Sequence, residues 1–239
     1  TKFNLKKLKK VYTRWQNDLY AKAWNALYIE NHDQPRIVNR YGSLKYRAES
    51  AKMLATMYIC QCGTPFIYQG QEIGMTNIEI DYIDKYTDVS TKNNYKVAEK
   101  ILGEKKALKL TNYASRDNAR TPVQWSDAKN AGFTSADEAW FCINPNYKEI
   151  NVASQENDPD SILNYYRKLL KFRKENEVCI YGKYEEHYRD SDKLYVYSRH
   201  YENERMIVIL SFCDKPHLFK APDGFVLKDG ECVLCNYHD

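Results

Sequence analysis

Four side chains able to hydrogen-bond or carry charge, Glu30, Asn31, His32 and Asp33, close the apolar stretch in WNALYIENHDQPR, with Pro35 and Arg36 behind them. An apolar run bounded by polar and turn-forming residues reads as a buried strand. The carboxyl end of a strand is where α/β folds place their ligands. A carboxylate beside an imidazole could hold a ligand there by charge and hydrogen bonds. The same residue types also make turns and cap helices, so the local pattern leaves both readings open. Further on, RDNARTPVQW sets Arg116 and Arg120 in a polar stretch, which by itself reads as a site of surface ion pairs. A third cluster is Cys232 and Cys235, with Cys213, His217 and His238 nearby. Zinc sites usually need a second matching pair, and this one sits in a strand-like segment, so no metal is expected.

The elements that must position these residues follow from periodicity. Residues 4–22 predict a helix, and the strand ending at Glu30 follows. Residues 46–61 predict a second helix with an apolar stripe through Ala51, Leu54, Ala55 and Tyr58. GTPFIYQG then reads as a short strand bracketed by Gly63 and Gly70. Helix, strand, helix, strand in this order implies βα units and a parallel sheet. A polar stretch from about 72 to 158 interrupts the alternation, with a surface helix expected over 95–111. Loops of that length are usually functional. Asp160 and Ser161 offer an N-cap to a helix lined by Ile162, Tyr165, Leu169 and Phe172. Beyond Glu177, the short β-branched and aromatic segments separated by turn residues predict an antiparallel β-sandwich. The expected division is therefore 1–177 and 178–239.

Composition narrows the classes. The net charge is +4, and Lys2, Lys6, Lys7, Lys9 and Lys10 interleave with Leu5, Leu8 and Val11. That pattern is the solvated face of an amphipathic helix rather than a nucleic-acid patch. Seven cysteines, an odd number without framework spacing, suggest reduced thiols in a cytoplasm. There is no signal-peptide core and no apolar run long enough to span a membrane.

NHDQPR after a strand, GTPFIYQGQEIGMTN some thirty residues on, RDNARTPVQW, NPNYKEINV and DSILNYYRKLLKFRK occur here in one order. This ordered set resembles the C-terminal half of α-glucosidases of the α-amylase superfamily, of the oligo-1,6-glucosidase and trehalose-6-phosphate hydrolase types. The resemblance implies an α/β plus all-β fold: the seventh and eighth strands of a (β/α)8 barrel with their helices, then a β-sandwich, truncated at both ends. It implies a retaining glycosidase acting on short oligosaccharides or disaccharides, without a cofactor. Asp33 matches the family's third carboxylate, which stabilises the transition state, and His32, Arg116 and Arg120 match sugar-binding residues. The nucleophile and general acid/base belong to the fourth and fifth strands, outside this chain. Glu72 reads as structural. Ser90 stands where many relatives carry an acid, which puts acceptor-side contacts and linkage preference in question. A non-catalytic binding module is the reading from a different class, and a transferase or isomerase on the same fold is a further one.

Overall fold

The computed structural model describes residues 3–237. Lys2 and His238, named in the patterns above, lie outside the described residues. In chain order the elements are α1 (Leu5–Leu19), β1 (Ala26–Leu27), α2 (Ile37–Tyr41), α3 (Arg47–Ile59), β2 (Thr64–Pro65), α4 (Val89–Leu102), α5 (Glu104–Ala114), α6 (Val152–Glu156), α7 (Ile162–Glu175), α8 (Glu177–Tyr181), β3 (Lys183–His187), β4 (Leu194–Tyr201) and β5 (Glu204–Ser211), with 3₁₀ turns between them. The chain divides into two compact units, one of residues 1–27, 52–66 and 167–239, the other of 28–51 and 67–166.

In the first unit β1 and β2 pair in parallel, Ala26 with Thr64 and Leu27 with Pro65. The apolar runs are longer than these two-residue strands because strand geometry persists only where a neighbour completes the ladder. β3, β4 and β5 form an antiparallel meander, Glu185 opposite Ser198 and Ser198 opposite Ile207. Its covered face is rich in tyrosine: Tyr195 and Tyr197 are fully buried, and the Tyr184 and Tyr195 hydroxyls lie 3.1 Å apart. Leu54, Met57, Ile59 and Leu169 of the same unit are also fully buried. Among the described residues this is the only antiparallel sheet, so a second sandwich layer is not seen. The segment GFVLKDGECVLC, residues 224–235, expected to belong to the β-rich module, holds only a 3₁₀ turn, Leu227–Asp229, since no neighbour pairs with its backbone.

The lysine-rich helix departs from expectation at one position. Lys6, Lys7 and Lys10 are exposed, but Lys9 is buried on the stripe shared by Leu5, Thr13 and Gln16. Its ammonium donates to the carbonyls of Tyr188 (2.6 Å), Ser191 (2.8 Å) and Leu194 (3.1 Å), which replaces its lost hydration. Two arginines play a similar part. Arg173 donates to the Ile59, Gln61 and Gly63 carbonyls and so satisfies buried carbonyls at and just beyond the end of α3, while Arg199 donates to the Cys60 and Gly182 carbonyls.

In the second unit the long polar stretch is ordered by asparagine. Asn112 both accepts from the Ile80 amide (2.8 Å) and donates to its carbonyl (3.1 Å). Asn118 accepts from the Ile78 amide, and Asn144 donates to the Thr76 and Asn77 carbonyls. These side chains stand in for a neighbouring strand, allowing Ile78, Ile80, Tyr86 and Phe141 to cluster as a core. The single helix expected over 95–111 is two helices, α4 and α5, because Gly103 at φ +77° breaks the run. Ser161 caps α7 as expected, its Oγ accepting from the Asn164 amide at 3.1 Å.

Candidate functional site

All four residues singled out from the sequence meet in the second unit. The segment after β1 is fastened first by burial. Glu30 and Arg36 are almost wholly buried and pair at 2.7 Å, and the second oxygen of Glu30 accepts from the Ile37 amide at the start of α2. Arg36 also donates to the Gln69 carbonyl (2.7 Å) and the Asn118 carbonyl (3.2 Å), so one side chain ties together three chain segments. Beside it Gly70 is held at φ +83°, where a Cβ would lie 2.3 Å from Met75 Sδ and 3.2 Å from Arg36 Nη1. Asn31 makes the turn, its Oδ1 accepting from the Asp33 amide at 2.9 Å. The turn-forming reading is therefore right for Asn31, while His32 and Asp33 project to the surface, with 69% and 47% of their side chains exposed.

Asp33 is approached from two sides. One oxygen, Oδ1, accepts from Arg116 Nη1 at 3.1 Å and from Arg120 Nη2 at 2.9 Å. The other, Oδ2, lies 3.4 Å from His32 Nε2. Arg120 Nε donates to the His32 carbonyl at 3.0 Å, fixing the backbone that carries the imidazole. Arg116 opens a 3₁₀ turn, Arg116–Ala119, capped by Ser115, whose Oγ accepts from the Asp117 amide.

Two acids that the sequence reading passed over hold the arginines. Asp88, with 4% of its side chain exposed, accepts from Arg116 Nη2 and lies 3.5 Å from Arg120 Nη1. Its other oxygen caps α4 by accepting from the Thr91 amide (2.8 Å) and hydroxyl (2.7 Å). Burial alone would raise this carboxyl, but the hydrogen bonds from Arg116 and Thr91 outweigh it and hold it down to about 2. The fully buried Asp117 accepts from the amides of Thr87 (2.8 Å) and Asp88 (3.0 Å) and so positions Asp88. The spacing of Asp88 to Thr91 is an N-cap signal legible in the sequence; the link to Arg116 is not. Ser90 Oγ accepts from Arg116 Nη2 at 3.2 Å. Glu72 stays out of this set: its Oε2 is buried without a partner among the described residues, and burial pushes its carboxyl up.

The arrangement is a carboxylate whose orientation is fixed by two guanidinium groups, with an imidazole at its open edge. Such a set can bind hydroxyl-rich ligands and stabilise developing positive charge, because it needs no reorganisation at the moment of reaction. Among the described residues no cluster of three or more His, Cys, Asp or Glu is placed to hold a metal ion. His217 Nε2 lies 3.0 Å from Cys213 Sγ, while Cys232 and Cys235 are exposed. No helix among the described residues is long and apolar enough to cross a membrane.

The chain is 47% identical over 238 residues to the oligo-1,6-glucosidase of Parageobacillus thermoglucosidasius, covering 98% of this chain and 42% of that enzyme. It is 41% identical over 239 residues to the trehalose-6-phosphate hydrolase of Bacillus subtilis (strain 168), again 98% and 42%. The crystal structure of Bacillus licheniformis trehalose-6-phosphate hydrolase superposes with a TM-score of 0.95 at 43% identity, covering all of this chain and 44% of that one. The chain thus spans less than half the length of the relatives it matches. Residues 1–182 match the sequence model of the alpha amylase catalytic domain. With most of its length inside that match, the chain belongs to the α-amylase catalytic-domain family.

Proposed function

We propose that this chain supplies the sugar-facing third carboxylate of a retaining glycoside hydrolase that cleaves α-glucosidic bonds, α-1,6 bonds by preference, in short oligosaccharides. The observation that carries the proposal is the convergence of Arg116 and Arg120 on Asp33 Oδ1 in a chain of this family. In this reading β1 and β2 are the seventh and eighth barrel strands, residues 1–177 belong to the barrel, and 178–239 begin a C-terminal β-sandwich. The end of α8 at Tyr181 and of the family match at residue 182 support a division close to that point.

A retaining glycosidase uses two carboxylates roughly 5 Å apart as nucleophile and general acid/base. The family pattern assigns both to strands these 239 residues do not include. Asp33 then acts on the ring: its carboxylate accepts from ring hydroxyls and stabilises the cation-like transition state, with the arginines preventing it from rotating away. His32 hydrogen-bonds the same sugar, Arg116 lies at the base of the pocket and Arg120 at its entrance. The substrate is a small oligosaccharide or disaccharide, with no nucleic-acid or membrane partner, and the unpaired cysteines fit a cytoplasmic setting. The second reading is hydrolysis of trehalose 6-phosphate, favoured by the TM-score of 0.95 to an enzyme of that name.

The purified 239-residue chain should not turn over an aryl α-glucoside; turnover abolished by Asp33→Asn would refute this division of labour. A full-length protein carrying the chain should release glucose from isomaltose in preference to trehalose 6-phosphate. The reverse preference would establish the second reading. Activity on neither, with sugar binding retained, would leave a binding module.

A further inference from the structure

Arg116 and Arg120 reach Asp33 from the two ends of one 3₁₀ turn, and they are held in different ways. Arg116 is anchored through its guanidinium by Asp88, whereas the Arg120 guanidinium lies 3.5 Å from that carboxylate. The aim of Arg120 therefore depends more on the backbone that carries it. That backbone is bonded on both sides of one peptide plane. The Arg120 amide donates to the Asp117 carbonyl at 3.0 Å, and the Ala119 carbonyl accepts from the Tyr68 hydroxyl at 2.9 Å. A peptide unit is planar and rigid, so fixing its N–H and its C=O fixes where the Arg120 Cα sits. The preceding carbonyl, of Asn118, accepts from Arg36 Nε at 3.2 Å, and the Arg36 guanidinium lies 5.7 Å from the centre of the Tyr68 ring. Tyr68 is half-buried and is itself held: its carbonyl accepts from the amide of the buried Gln71 at 3.0 Å, and the Gln71 side chain donates to the Tyr166 hydroxyl at 2.9 Å. Burial pushes the Tyr68 hydroxyl up, so it keeps its proton and remains a donor.

We propose that Tyr68 is a positioning residue: its hydroxyl, acting through the Ala119–Arg120 peptide, aims the Arg120 guanidinium at the Asp33 carboxylate. The catalytic consequence rests on the reading of Asp33 as the sugar-facing carboxylate of a glycoside hydrolase. Ala119 is fully buried, so without the Tyr68 hydroxyl its carbonyl loses a partner at a place where a missing hydrogen bond is costly. The turn then loosens, Arg120 gains freedom, and one of the two guanidinium groups that fix Asp33 Oδ1 no longer holds it in place. Asp33 contributes as charge develops on the ring, so the loss falls on kcat rather than on KM.

Tyr68→Phe keeps the ring over Arg36 and removes the one donor, and it is tested in a full-length protein carrying this chain. Hydrogen exchange read by mass spectrometry should quicken about tenfold in the peptide over residues 116–121 and stay unchanged in α7. With an aryl α-glucoside, kcat should fall about tenfold while KM stays within about twofold. In an Arg120→Gln background the same change should lower kcat by less than about twofold, because the group that Tyr68 positions is already gone. Unchanged exchange over 116–121 would overturn the proposal whatever the activity. An equal loss of kcat from Tyr68→Phe in both backgrounds would overturn it too, since Tyr68 would then act independently of Arg120. Faster exchange over 116–121 in a protein without glucosidase activity would uphold the placement of Arg120 by Tyr68 and refute the hydrolase reading instead.

Discussion

Asp88 is where the architecture of the site is most exposed to measurement. It caps α4 through Thr91 and anchors Arg116, and its carboxyl is held at about 2 against an ordinary 3.8. At 1.36 kcal/mol per pH unit that difference corresponds to roughly 2.5 kcal/mol. Asp88 itself has 4% of its side chain exposed, but Arg116 has 35%, so solvent screens part of the interaction and about 1–2 kcal/mol is expected. The folded-state value lies below the unfolded one. The contribution is therefore complete above about pH 5 and is lost as pH falls through 3.8 toward 2. Asp88→Asn keeps a capping oxygen and the shape of the side chain while removing the charge. Urea unfolding followed by tryptophan fluorescence, at several values between pH 7 and 2.5, should show the variant about 1–2 kcal/mol less stable near neutrality. The two curves should converge in acid. Parallel curves across the acid range would refute the claim that Asp88 carries this charge-dependent anchoring.

Other perturbations should give distinct results. Arg36→Met leaves Glu30 buried without its cation and should cost about 3–5 kcal/mol in urea titration. Glu30→Met combined with Arg36→Met should cost less than Arg36→Met alone, and a greater loss in the double variant would argue against a desolvated pair. Lys9→Met strands the carbonyls of Tyr188, Ser191 and Leu194 and should remove about 2–4 kcal/mol. A change below about 0.5 kcal/mol would mean that water replaces the ammonium without penalty.

The candidate site residues were the most legible part of the sequence, and what holds them was the least. His32, Asp33, Arg116 and Arg120 were visible because their types recur in ordered motifs, and the structure gathers the other three around Asp33. Asp88 and Asp117 were not singled out, since an aspartate before a helix looks like an ordinary cap until an arginine from 28 residues away reaches it. Lys9 carries the same side chain as Lys6, Lys7 and Lys10. Only its place on the stripe with Leu5 and Thr13 separates it, and a lysine there normally argues against burial. Glu30 and Arg36 would be about 20 Å apart in a strand and on different faces of a helix, so their pairing arises from the folded turn alone. The polar stretch over 72–158 read as an irregular loop with one helix because its order comes from asparagine side chains bonding distant backbone groups. Strand lengths were overestimated at β1 and β2 for the opposite reason: apolar character marks burial, while a strand also needs a partner.

The central claim is that the clamped Asp33 carboxylate stabilises charge on a glucose ring rather than merely closing a salt bridge. The most direct measurement is kcat for hydrolysis of an aryl α-glucoside by a full-length protein carrying this chain, with and without Asp33→Asn, folding being checked by circular dichroism. The account predicts a loss of kcat on the order of 10²–10³-fold or more with the fold intact. An Asp33→Asn enzyme that folds normally and keeps kcat within a few-fold would contradict it.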